Sequence, residues 1–84
     1  MIITKSHRLI LRHLIFLETY DTLRSESGMQ SGALRDDLIS MINAGLIEVH
    51  RTDEAGVSRL QSYDADNLQE FSFRATSKGL SLIS

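Results

Sequence analysis

Three histidines, eleven carboxylates and nine Lys or Arg side chains carry the chemistry open to this 84-residue chain, which has no cysteine. Disulfides, thiolate zinc sites and a cysteine nucleophile are therefore excluded. His7 and His13 are six residues apart, about 240° around a helix, so they sit on different faces and lack metal-pair spacing. His50 has no ligating neighbour at metal spacing. Asp64, Asp66 and Glu70 faintly resemble a calcium loop, but the twelve-residue ligand pattern and its central glycine are missing. No glycine-rich phosphate loop, nucleophile elbow or identifiable carboxylate pair occurs. No catalysis, bound metal or other cofactor is expected, and attention moves to binding.

Length and composition bound what can position a binding surface. The chain is 42% hydrophobic and 24% charged, an ordinary globular balance that fits one domain over residues 1–84. A domain this size buries about 60–65% of its unfolded surface, leaving little room for an enzyme-sized cleft. The net charge of −2 and pI near 5.8 are unusual for a nucleic-acid binder. Leu9–Leu17 is apolar except for Arg12 and His13, too short to span a bilayer and without a signal-peptide cleavage site. A soluble, cytoplasmic chain is expected, with no membrane partner.

Periodicity divides the chain into a helical first half and a strand-rich second half. Ile10, Leu11, Leu14, Ile15 and Leu17 recur at helical spacing and predict a first helix over Ser6–Glu18, capped by Thr4 or Ser6. Lys5, Arg8 and Arg12 form a polar stripe opposite them. Thr19 caps a short helix from Tyr20 to about Ser27, and Gly28 permits a left-handed end. Met29 tucks inward. A third helix runs from Gln30 or Ser31 to about Ala44, with Leu34, Leu38, Met41 and Ile42 inward and Gly45 ending it. Leu46–Thr52 reads as a strand, followed by the turn cluster Asp53–Gly56. Val57–Tyr63 is a weaker return strand, and Asp64–Asn67 a second turn. Leu68–Ala75 alternates with Phe71, Phe73 and Ala75 inward and Glu70, Ser72 and Arg74 outward. Thr76 or Ser77 caps a last helix to about Ile83, weakened by Gly79 at about 1 kcal/mol relative to Ala.

Two stretches carry a family resemblance. Tyr20–Met29 followed by Gln30–Leu38 and Met41–Ile47 resembles helix two, the tight glycine turn, the recognition helix and the apolar strand start of winged helix-turn-helix bacterial transcription regulators. Phe73–Gly79 is similar to the family's strand-to-helix signature after the wing. The resemblance implies an α+β winged-helix fold: three amino-terminal helices, a two- or three-stranded β wing and a short carboxy-terminal helix. It also implies double-stranded DNA as partner, with the third helix in the major groove. The matching outward positions are Gln30, Ser31, Gly32 and Arg35. Arg35 suits guanine and Gln30 suits adenine. Arg59 is the wing residue assigned to the backbone, ahead of His50 and Arg51. Regulators of this kind often dimerise through terminal helices, which implies a homodimer through the first helix and the Leu80–Ile83 segment.

Charge supplies an alternative. Asp36 and Asp37 follow Arg35 directly, and Asp53 and Glu54 occupy the wing tip. Residues 1–51 hold six cations and six anions, whereas residues 52–84 hold three against five. Counterion release needs several cations at phosphates. The second expectation is therefore a winged-helix module that binds a basic protein, as a regulator or a nucleic-acid mimic. An assembly subunit using its apolar first helix is a third.

Overall fold

Thr4 opens the first element by a reciprocal cap. In the computed structural model, which describes Met1–Ser84, the His7 N–H donates to Thr4 Oγ1 and the Thr4 N–H donates to His7 Nδ1. Helix α1 spans Lys5–His13 and buries His7, Ile10 and Leu11. It stops five residues short of Glu18, the end its periodicity predicts. Leu14 leaves the helix, and its carbonyl accepts the Ala75 N–H at 2.9 Å. The chain then turns so that Glu18–Thr19 forms strand β1 against Phe73 and Ser72. A helix through Glu18 would forfeit that pairing, and the price of forming it is that Ile15 and Phe16 stay exposed.

Helix α2, Tyr20–Ser27, is capped by Thr19 and ends at Gly28 with φ of 68°. Only a residue without a Cβ takes that conformation freely. The reversal leads into α3, Ser31–Asn43, which buries Leu34, Leu38 and Met41. Ile42 is only partly buried at the edge of the core.

Strand β2, Ile47–Asp53, pairs with β3, Gly56–Arg59, on one side and with β4, Ser72–Ala75, on the other. The strand order β1-β4-β2-β3 gives a four-stranded antiparallel sheet, one strand wider than the upper expectation. The return strand ends at Arg59 rather than Tyr63. Leu68–Glu70 is a turn of 3₁₀ helix whose buried Leu68 joins the core, so only Ser72–Ala75 of the expected longer strand is paired as a strand. Helix α4, Ser77–Ser81, is capped by Thr76.

The molecule is thus α+β, with four α-helices and one antiparallel sheet. A single cluster of fourteen apolar residues joins the inward faces of α1, α2 and α3 to Val49, Phe73 and Ala75. Ser72 departs from its expected outward exposure. It lies on an interior strand between Thr19 and His50, and these neighbours leave it 9% exposed. No helix is long and apolar enough to cross a membrane.

Candidate nucleic-acid interface

The amino end of α3 is an exposed polar surface. Gln30 takes the capping position but makes no side-chain capping bond, unlike Thr4, Thr19 and Thr76 at the other three helices. Its first turn contains no acidic residue. Gln30, Ser31 and Gly32 are exposed, and a side chain at Gly32 would meet nothing within 4 Å. The first N–H groups of a helix have no partner within it, so they face water here with their partial positive charge.

Arg35, one turn further along, is half-buried and already engaged. Its Nε donates to the Ala65 carbonyl at 3.2 Å, and its Nη2 donates to Asp66 Oδ1 at 3.3 Å. Asp36 Oδ1 lies 3.6 Å from Nη1. Two turns on, Asn43 Oδ1 accepts the Tyr63 hydroxyl at 3.3 Å. The 60–67 segment therefore lies along the 35/43 stripe of α3. Burial pushes the Tyr63 hydroxyl above its ordinary pKa, and the positive charge of Arg35 partly offsets this.

The two neighbouring aspartates differ completely. Asp36 points to solvent, 77% exposed. Asp37 turns inward between α3 and α1, where Ser6 Oγ donates to its Oδ2 at 2.6 Å and His7 Nε2 stands 3.2 Å from its Oδ1. A carboxylate that accepts one hydrogen bond from another helix and stands beside that helix's imidazole is a structural clasp. The sequence contained a signal for it. His7 precedes Ile10 and Leu11 by three and four residues, and Asp37 stands between Leu34 and Met41 at the same spacings. Each polar residue sits on an apolar face and needs a partner there.

Arg59 belongs to a different place. It ends β3, and its Nε is 3.3 Å from Glu48 Oε2. Arg59 lines a groove with Ile42 and Asn43 at the carboxy end of α3. The thirteen residues of α3 span about 20 Å, so the structure gathers Gln30, Ser31, Gly32 and Arg35 but holds Arg59 near the opposite end. His50 and Arg51 are also committed elsewhere. Arg51 lies over the Phe71 ring, 5.8 Å from its centroid. His50 Nε2 is 3.3 Å from Glu48 Oε2 but off the line of a hydrogen bond, and both ring nitrogens are buried without such a partner.

The loop against Arg35 is itself shaped by Asp64. Hydrogen bonds from the Asn67 side chain and then the Asp66 backbone hold the Asp64 carboxyl below the ordinary aspartate pKa. A depressed folded-state pKa contributes stability that is complete above the unfolded value, about 3.9, and is lost as pH falls through the folded value. In an NMR titration, Asp64 is expected to have a lower midpoint than the same residue in a short peptide. Asn67→Ala should move it back up. An unchanged midpoint in that variant would remove the Asn67 bond as the cause.

Comparison with family models, curated proteins and solved structures finds no match to this chain.

Proposed function

We propose that this chain is a winged-helix transcription regulator that binds double-stranded DNA as a homodimer in the cytoplasm. On this reading α3 enters the major groove by its first turn, through Gln30, Ser31, Gly32 and Arg35. The β2–β3 hairpin is the wing, and Arg59 meets the backbone. No catalytic step is needed. The open amino end of α3 carries the reading: free N–H groups, no acid in the first turn and no side-chain cap suit a phosphate or base edge. The inward turn of Asp37 removes one of the two carboxylates that would oppose DNA. Arg35 must exchange Asp66 for a base, and exposed ion pairs contribute only about 0–1 kcal/mol, so the exchange is inexpensive. Leu9, Phe16 and Leu82 are exposed, and Arg8 Nη1 donates to the Leu82 carbonyl at 2.9 Å, placing the carboxy-terminal segment beside α1. That apolar surface suits the dimer contact.

One observation favours a second reading. Asp36 and Asp66 flank Arg35, the only cation of α3, while Asp53 and Glu54 occupy the hairpin tip. Such a face suits a basic protein.

A salt titration of duplex binding separates the two. Selection from a random duplex pool supplies a preferred sequence, and affinity for it should fall steeply with salt. Arg35→Ala should lose about tenfold or more on the preferred duplex and little on random duplex, whereas Arg59→Ala should weaken both alike. Equal losses from Arg35→Ala would withdraw its base-reading role. No duplex binding at low salt would overturn the DNA reading and leave the protein-binding one.

A further inference from the structure

Every cation after Arg51 in the sequence lines one groove of about 480 Å³ on the outer side of the sheet. Arg59 comes from the end of β3, Arg74 from β4 and Lys78 from α4. Glu48 stands between the two arginines with its side chain only 9% exposed. From this arrangement we infer that the groove is a binding site for a phosphate monoester with an apolar body.

The hydrogen-bond inventory supports that ligand. Arg59 and Arg74 both approach Glu48 through Nε, each at 3.3 Å, on different carboxylate oxygens. Neither guanidinium uses its Nη atoms on the protein, and the paired Nη edge is the fork that grips an oxyanion bidentately. Lys78 Nζ donates to the Ala44 carbonyl at 3.1 Å and retains further donors. The Ser77 hydroxyl in the same groove has no partner on the protein, whereas that of Thr76 is used by Gly45 and Gly79. Glu48 acts as a positioning residue, because a nearly buried carboxylate holds both stems and turns their free edges outward.

Charge selects the ligand class. Three cations and one carboxylate leave a local charge of +2 in a chain whose net charge is −2. A phosphate monoester carries about −2 above its second pKa near 6, so it balances the groove, whereas a simple carboxylate does not. Ile15 and Leu80 line the same groove and offer an apolar contact to the esterified group. The geometry does not depend on DNA binding.

Calorimetric titration of the whole chain with phenyl phosphate, inorganic phosphate and benzoate tests this, with no nucleic acid present. Phenyl phosphate should saturate, inorganic phosphate should bind more weakly, and benzoate should not bind. Binding should strengthen as pH rises through about 6. Arg74→Gln and Lys78→Gln should each weaken phenyl phosphate tenfold or more, with thermal unfolding followed to show that each variant folds. Lys78→Gln serves alone if Arg74→Gln does not fold, because Lys78 is exposed and makes no ion pair. No saturation at about 10 mM, where millimolar affinity would register, overturns the proposal. Unchanged affinity in Lys78→Gln overturns it equally. If phenyl phosphate fails while duplex binding drops on losing Lys78, these cations serve a polynucleotide backbone and the small-ligand site is refuted.

Discussion

Gly79→Ala is expected to destabilise the domain by about 3 kcal/mol or more, although an isolated helix would gain about 1 kcal/mol from the same change. A Cβ at Gly79 would collide with the Leu46 carbonyl oxygen and press on Leu11 Cδ2 at 3.1 Å. The carbonyl cannot retreat cheaply, because it accepts the Thr76 N–H at 3.0 Å. Thr76 Oγ1 donates to the neighbouring Gly45 carbonyl at 2.7 Å, so α4 is docked on the two residues that lead into β2. Overpacking in a well-filled core typically costs about 1–3 kcal/mol, and contact with fixed backbone belongs at the top of that range. For a chain of this length 3 kcal/mol corresponds to a fall in melting temperature on the order of 15 °C. Thermal unfolding followed by circular dichroism reads this directly. A melting temperature equal to or above the parent's would mean that α4 is not held in this position.

Phe73→Ala is the second large effect, expected to cost about 3–5 kcal/mol. Phe73 is fully buried on β4, flanked by Glu18 of β1 and Val49 of β2. It is among the largest side chains with no exposure at all. Its removal loses transfer energy and leaves a cavity bordered by rigid strands that cannot close over it. A chain of this size has roughly 4–12 kcal/mol of total stability, so the loss removes at least about a quarter of it and should lower the unfolding midpoint clearly. Phe73→Leu retains most of the volume and should cost clearly less. Urea denaturation of both distinguishes volume from aromatic identity. Similar midpoints for Phe73→Ala and the parent would place the centre of the core elsewhere.

The readable parts of this sequence were those with local causes. The limits of α2 follow from Thr19 and Gly28, each adjacent to the end it sets, and Leu34, Leu38 and Met41 mark the inner face of α3 by spacing alone. Strand β1 was not readable. Its two residues are extended because β4, more than fifty positions later, offers an edge, and Leu14 and Leu17 fit a helical period equally well. The division of Leu68–Ala75 into a 3₁₀ turn and a strand likewise depends on Leu68 being drawn into the core. At the candidate interface, spacing placed Gln30, Ser31 and Gly32 outward on an open helix end. It did not reveal that Arg35 meets Asp66, or that Arg59 meets Glu48, since both contacts join elements whose approach is set by tertiary packing. The cationic groove around Glu48 was hidden for the same reason: its three cations are spread over twenty residues and three elements.

The position of the 60–67 segment has an evolutionary consequence. Arg35 is held by a residue thirty positions away, and Asn43 by one twenty positions away. Edits to that segment can re-aim the guanidinium, expose it or retire it while every helical codon stays as it is. Diversification of this scaffold could thus proceed by loop grafting, with the core-facing residues of α3 left under unaltered packing constraints.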